Sequence, residues 1–282
     1  MFIFAIIVTY NPDYILLRRQ YESIRGQVSG IIYVDNHSTC IELPEGDRVY
    51  HILNDTNEGL GKAQNQGIKK ALDLGADFVL LLDQDSELFP SMIQDLKDTY
   101  LSCVSKGEKV GAVAPGIVNA FDKSSPALGI LMDGFCVRTV TVKDAPLEVS
   151  YCIASGTLIH KSVFKCVGLM NEYFFIDFLD LEWCMRAKSK GYKIFLSPSA
   201  RLLHRLGNGR KDRVLSHSPM REYYICRNGL LLLKLKYIPL GYKLRRCVLI
   251  PLRILSSLMT GKIVYFKKGI RGITDAIFKD YN

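Results

Sequence analysis

A chain of 282 residues, 48% hydrophobic and 23% charged, is long enough to bury one large core or a domain with an appendage, and too apolar to remain disordered. Its formal net charge of +9 is uneven, because residues 201–282 carry 18 Lys and Arg against 4 Asp and Glu, leaving 19 against 24 in residues 1–200. Eight cysteines lie scattered, the closest pair fourteen positions apart, with neither metal-finger spacing nor the density of a disulfide scaffold, so reduced thiols in a cytosolic protein are expected.

Met1 to Val8 is apolar but lacks a basic leader and a small-residue cleavage site, so it reads as a first strand, Phe2 to Val8, and secretion by a signal peptide is not expected. Further apolar runs at Gly30 to Val34, Val49 to Leu53 and Phe78 to Leu82 alternate with helical periodicity over Asp13 to Arg25, Gly61 to Leu74 and Pro90 to Lys106. That is a βαβ series, hence an α/β fold with a parallel sheet. Val110 to Val118 adds a strand, and Leu128 to Val142 and Leu147 to Ile159 then alternate as antiparallel segments, a different layer of the same domain. A helix over Leu179 to Lys190, ended by Gly191, leads to a short strand, Tyr192 to Leu196, which Pro198 is expected to stop. After Arg205 the pattern is helical and basic, with apolar stretches at Leu230 to Leu233 and Cys247 to Leu255. These are too short to span a bilayer, which needs about 20 residues. Basic and apolar character together suggest contact with anionic lipid. Nucleic-acid binding is disfavoured, since no zinc, helix-turn-helix or RNA-binding signature accompanies the charge.

The run Phe78 to Leu82 is apolar throughout, as a strand buried on both faces requires, and it ends in Asp83-Gln84-Asp85. In open α/β sheets ligands gather beyond the carboxyl ends of the strands, and residues i and i+2 of an extended chain point the same way, so two carboxylates converge there. Oxygen pairs of this kind hold Mg²⁺ or Mn²⁺, which can neutralise a diphosphate; the plain alternative is an acidic turn capping the helix near Pro90. The first strand ends in Thr9-Tyr10-Asn11-Pro12 and the second in Asp35-Asn36, at the same sheet edge. Asp35 could accept the N–H of a pyrimidine ring, or bond its own turn. Asn57, Gly59, Gly61, Asn65 and Gly67 place small residues around a helix start where backbone can approach a diphosphate, although the spacing is neither the dinucleotide fingerprint nor the Walker loop.

Asp177, Asp180 and Glu182 open a later helix in an aromatic setting. A desolvated carboxylate there could serve as general base, or the acids could simply complement the helix dipole. Trp183 is either core or a platform for a sugar ring. His204 follows the strand-like Arg201-Leu202-Leu203 and could complete a metal site begun by Asp85, with the basic Gly207-Asn208-Gly209-Arg210 closing over phosphates.

In this order the motifs resemble the inverting glycosyltransferases of family 2, which have the GT-A fold, and among them the bacterial rhamnosyltransferases of O-antigen and capsule assembly. The resemblance covers about residues 1–210 and is carried by Val8-Thr9-Tyr10-Asn11, Val34-Asp35-Asn36, Asn57 to Gly67 and Leu82-Asp83-Gln84-Asp85. It implies a mixed sheet flanked by helices, with Thr9 and Asp35 on the nucleobase, Asp83 on the ribose, and Asn11, Asn57, Gly59, Gly61 and Asn65 lining the nucleotide-sugar site. It further implies Mg²⁺ or Mn²⁺ on Asp85, which His204 could help to hold, Gly156 and Thr157 beneath the donor sugar and acceptor, and Asp180 as base. Leu179 stands where a first acid is usual and Asp177 supplies another carboxylate, so the base is Asp180 or Asp177.

The implied reaction moves L-rhamnose from dTDP-L-rhamnose to a hydroxyl of a lipid-linked glycan, in the cytoplasm at the inner face of the cell membrane. A UDP-hexose donor is the nearest alternative. A sugar nucleotidyltransferase is disfavoured because Thr9-Tyr10-Asn11-Pro12 stands where those enzymes have a glycine-rich basic loop, and a non-catalytic lipid-surface protein is disfavoured by the full set of acids. The implied organisation is a catalytic domain over 1–210, divided into a nucleotide-binding half (1–118) and an acceptor-binding half (119–210), then a basic amphipathic membrane-association region over 211–282. Assembly into a homo-oligomer is left open.

Overall fold

The computed structural model describes residues 1–120, 129–205 and 218–279; Leu128, the Gly207 to Arg210 loop and the 210/211 boundary lie outside the described residues. In chain order the elements are β1 (Ile3–Thr9), α1 (Tyr14–Ile24), β2 (Gly30–Asp35), β3 (Val49–Leu53), α2 (Leu60–Asp73), β4 (Phe78–Asp83), β5 (Ser86–Leu88), α3 (Met92–Ser105), β6 (Val110–Asn119), β7 (Gly129–Asp133), β8 (Cys136–Val140), β9 (Leu147–Val149), β10 (Thr157–His160), α4 (Lys161–Val167), α5 (Leu179–Ser189), β11 (Lys193–His204), α6 (Pro219–Lys234), α7 (Leu240–Met259) and α8 (Ile263–Phe278).

The main sheet runs β3-β2-β1-β4-β10-β6-β11-β5, with β9 also paired to β11. Strands β1 to β4 are mutually parallel, β10 lies antiparallel to both β4 and β6, and β11 is parallel to β6. The double reversal through β10 means that β11 points the same way as β4, so the carboxyl ends of β1, β2, β4 and β11 share one edge. The central strands are apolar on both faces because both are covered. Ile6, Val79 and Leu81 pack with Ala63, Ile68, Leu179 and Trp183 on one side, whereas Ala5, Ile7, Leu80 and Leu82 pack with Leu17, Met92 and Leu96 on the other.

Three expectations change. The later strands β6, β10 and β11 join the same sheet as β1 and β4 and are not a second layer. Pro198 does not stop β11, which continues to His204 across a register shift between Leu196 and Arg201, and a bulge tolerates a residue that cannot donate to the ladder. The long alternating segments break into a short hairpin, β7–β8, and the separate strands β9 and β10. Gly134, at φ 56, occupies the hairpin turn, and a left-handed position there suits a residue without Cβ.

The C-terminal helices pack on one another and on the α5 side of the sheet. Gly272 of α8 lets it close on α6, since a Cβ there would fall 2.3 Å from the Tyr223 carbonyl oxygen, and Gly269 lets it close on α7, where a Cβ would fall 2.4 Å from Ile254. The α5 anchor is a buried ion pair. Arg186 donates to both oxygens of fully buried Glu182 at 2.9 and 3.0 Å, and to the carbonyls of Val167 and Leu169 at 2.8 and 2.7 Å, while Tyr237 donates its hydroxyl to Glu182 from beyond α6. Breaking one side of such a pair leaves the other charge stranded. Glu182→Gln is therefore expected to lower the unfolding free energy by about 3 kcal/mol in urea titration, and an unchanged midpoint would remove Glu182 from this anchoring role.

Candidate active site

Three groups converge where β4 and β11 end. Asp83 closes β4, Asp85 sits in the two-residue turn to β5, and the antiparallel pairing of β5 with β11 sets Ser86 opposite His204. His204 Nε2 lies 3.5 Å from Asp83 Oδ2 and Nδ1 lies 3.3 Å from Asp85 Oδ1. One ligand atom from each of the three falls within 4.8 Å of the others. Two carboxylates and an imidazole form a donor set suited to Mn²⁺ or Mg²⁺. Buried hydroxyls hold this cluster in place: Ser155 Oγ accepts the Asp83 N–H at 3.0 Å and lies 2.8 Å from Ser86 Oγ, itself 2.9 Å from His204 Nδ1. Gln20 donates to the Asp83 carbonyl. Burial, reinforced by the Asp85 charge, raises the Asp83 pKa against the opposing pull of His204 and Arg221. Burial disfavours the His204 imidazolium, but the Asp85 hydrogen bond and the Asp83 charge outweigh it and raise that pKa.

Two adjoining cavities share Asp83, His204 and Arg221. One, of about 510 Å³, is lined by Tyr10, Asn36, Asn57 and Asp85 as well; the other, of about 400 Å³, has Gln64, Ile153, Asp177 and Asp180 in its walls. Asp180 stands in the first turn of α5, where its Oδ1 accepts the Leu181 N–H at 2.8 Å. Burial raises its pKa to about 6, with the charges of Asp83 and Asp177 adding to the effect. Asp177 is committed elsewhere: Arg221 of α6 reaches it with Nη2 at 2.8 Å and with Nε at 3.1 Å from each oxygen. Asp177 and Phe178, at φ 64 and 66, form a left-handed step that presents Asp180 to the cavity. Asn228 of α6 donates to the carbonyls of Ile176 and Asp177 at 2.7 and 3.1 Å, Arg227 to that of Tyr173, and the Phe175 ring stacks on Tyr224 at 4.8 Å.

The remaining sequence-predicted residues fall into two groups. Asp35 is buried, with Oδ1 accepting the hydroxyls of Thr9 and Ser38 at 2.8 and 2.6 Å and Oδ2 accepting the Ser38 N–H at 2.8 Å. Asn11 accepts the Thr39 N–H at 2.9 Å, and Asn57 accepts from Asn36 and the Gly59 N–H at 2.9 and 3.0 Å. Of these, Asn36 and Asn57 line the larger cavity, whereas Thr9, Asn11 and Asp35 are not in its walls. Gly59, Gly61 and Asn65 instead meet the protein itself. A Cβ at Gly59 would fall 2.6 Å from the Phe175 ring and one at Gly61 2.8 Å from Leu179, while Asn65 is spent on Met170 and Glu172. Gly156, at φ 82, and buried Thr157, bonded to the Ile153 carbonyl at 2.7 Å, shape the turn behind the smaller cavity. The sugar-platform reading of Trp183 is corrected: its side chain is 2% exposed and its indole N–H donates to the Gly168 carbonyl at 3.0 Å, so it has no open face.

Arg221, Ser86, Ser155 and Gln20 escaped sequence reasoning. Mn²⁺ alone is expected to bind the protein in calorimetry, and Asp85→Asn or His204→Ala to weaken it at least about tenfold, a loss seen even for outer partners of metal ligands. Equal affinity in all three proteins would remove the cluster as a cation site.

Residues 4–168 match the model for glycosyl transferase family 2. The sequence is 34% identical over 291 aligned positions, covering 96% of each chain, to the dTDP-rhamnosyl transferase RfbF of Shigella flexneri. By shape it is similar to the structure of GalNAc-T7 with UDP, GalNAc and Mn²⁺, at 16% identity and a TM-score of 0.61, covering 82% of this chain and 51% of that one. It is also similar to the mannosyltransferase PcManGT of Pyrobaculum calidifontis in complex with GDP-Man and Mn²⁺, at 13% identity and a TM-score of 0.56, covering 99% and 88%. The matched family model extends over more than half of the chain, and it spans β1, β2, β4 and the Asp83-Gln84-Asp85 turn around which the cleft is built; the chain is a glycosyltransferase of family 2.

Proposed function

We propose that this enzyme transfers L-rhamnose from dTDP-L-rhamnose, with inversion, to a hydroxyl of a lipid-linked glycan in cell-surface polysaccharide synthesis. The observation that carries the reading is that Asp180, a carboxyl with a pKa of about 6, faces the same cavity as Asp83, His204 and Arg221. A proton acceptor and a set of diphosphate-binding groups thus flank one space. The dTDP-rhamnosyl transferase likeness over 96% of the chain supports the choice of donor.

In the proposed reaction the acceptor hydroxyl gives its proton to Asp180 as its oxygen bonds to the anomeric carbon, and the bond from that carbon to the diphosphate breaks with the electron pair leaving on dTDP. Asp83, Asp85 and His204 would hold Mg²⁺ or Mn²⁺, which when bound offsets the negative charge of the leaving diphosphate. Arg221, on the opposite wall, faces the same charge. Asp180 is the better base than Asp177, whose carboxylate is taken up by Arg221. Thr9 and Asp35 are proposed for the nucleoside end and Asn57 for the diphosphate, with Asn11 supporting the 38–39 turn and the turn around Gly156 and Thr157 on the acceptor side. The C-terminal helices, with their excess of Lys and Arg, are proposed to bring the catalytic unit to the inner face of the cell membrane, where a lipid-linked acceptor resides.

Base catalysis requires ionised Asp180, so kcat/KM is expected to fall as pH drops through about 6. Asp180→Asn should lose about 10²- to 10⁴-fold in transfer while keeping donor affinity. Because folding raises this pKa, the ionised carboxylate is the form that burial penalises, and at pH 7.5 the variant's Tm should be no lower than that of the parent. Full transfer by Asp180→Asn would exclude it as base. Arg221→Gln should weaken dTDP binding about tenfold, in line with the loss of one charge-assisted contact; unchanged binding would place Arg221 in a purely structural role.

A further inference from the structure

Helix α7 is apolar on its outer face as well as on part of its inner one. The inner face sets Tyr242, Ile250 and Ile254 beside polar groups: Arg246 is buried 4.8 Å over the Phe178 ring with no partner for its Nε, Arg253 donates to both oxygens of buried Glu222 at 2.6 Å, and Ser257 is buried. Its outer face is apolar, with Leu240, Leu244, Val248, Leu252, Leu255 and Met259 between 47% and 78% exposed. Spacings of four and three residues align them in one stripe roughly 30 Å long. The basic residues of α7 are buried (Arg246) or half-buried (Lys243, Arg245 and Arg253). A helix on a water-exposed surface normally shows the reverse pattern, and a contiguous apolar patch of this size marks an interaction surface.

A second copy of the chain or a bilayer could cover such a stripe, and charge separates them. Residues 240–279 carry nine Lys and Arg against a single acid, Asp275, which Tyr223 and Lys279 already engage at 2.6 and 2.9 Å. A two-fold interface would set this cationic margin, including exposed Lys267 and Arg271 of α8, against its own copy, whereas anionic headgroups complement it. Among the described residues no helix is long and apolar enough to cross a membrane, so α7 would lie on the bilayer.

We propose that α7 lies in the plane of an anionic bilayer, with its Leu244 to Met259 stripe at the acyl boundary and the neighbouring cations on the headgroups. This rests on the membrane contact proposed above for the C-terminal helices and names the surface that makes it. Since Arg246 backs onto Phe178, a wall of the smaller cavity two residues from Asp180, the docked helix would hold the acceptor side of the cleft close to the lipid.

The test is co-sedimentation of the full chain with phosphatidylcholine vesicles, with and without phosphatidylglycerol. The expected result is binding at least about tenfold tighter to anionic vesicles, weakened at least about tenfold by the triple change Leu244→Gln, Leu252→Gln and Leu255→Gln, with dTDP binding and mass by light scattering unaltered. Should the triple variant fold poorly, the exposed double change Lys267→Glu and Arg271→Glu is expected to abolish the anionic preference, and its persistence would overturn the proposal. Equal vesicle binding by the triple variant and the parent would overturn the role of α7 while leaving membrane contact intact. No vesicle binding by the parent would overturn both, and a parent dimer that the triple change splits would give the stripe to a second copy.

Discussion

The antiparallel pairing of β5 with the end of β11 is the constraint on which the cleft depends. Three residues of β5 suffice to turn the chain after Asp83-Gln84-Asp85 and lay Ser86 beside His204. Without that pairing the acidic turn and the histidine, more than a hundred positions apart, would have no reason to meet. The reversal through β10 matters for the same reason, because it returns β11 to the direction of β4 and delivers His204 to the sheet edge where Asp83 and Asp85 emerge. The cluster of Asp83, Asp85 and His204, a candidate cation site, is thus a product of strand topology, held by hydroxyls that are themselves buried.

The second half of the cleft depends on a loop gripped from two sides. Residues 171–178 are held by α2, through Asn65 and the close approach at Gly59 and Gly61, and by α6, through Arg221, Arg227 and Asn228. The grip sustains two consecutive left-handed residues, Asp177 and Phe178, which few side chains adopt without support. It also makes α6 part of the cleft, since Arg221 lines both cavities. Burial in this cleft, with the charges of Asp83 and Asp177 adding to it, raises the Asp180 pKa to about 6.

Much of this was legible in the sequence where local pattern and chemistry coincide. The apolar run ending in Asp83-Gln84-Asp85 announces both a buried strand and an acidic turn at the sheet edge, and β1 to β4 follow from hydrophobic runs and helix periodicity alone. Asp180 was legible only because a motif marked it; its burial comes from a loop that no local pattern encodes. Arg221, Ser86, Ser155 and Gln20 were not legible, because ordinary polar residues acquire their places from contacts 63 to 118 positions away in sequence or, for Arg221, from 44. The glycines after Asn57 carry a correct signal of close approach, but what approaches is Phe175 and Leu179. Pro198 misled because a bulge, invisible in the sequence, absorbs it. The apolar outer face of α7 was likewise hidden, as the same mixture of Leu and Arg fits either orientation of the helix.

The proposed nucleotide-sugar site depends on a divalent cation held by Asp83, Asp85 and His204. Calorimetric titration of dTDP, UDP and GDP, each with and without Mn²⁺, addresses it most directly. Metal-dependent binding that favours dTDP is the predicted result; binding of none of the three, or binding indifferent to Mn²⁺, would contradict it.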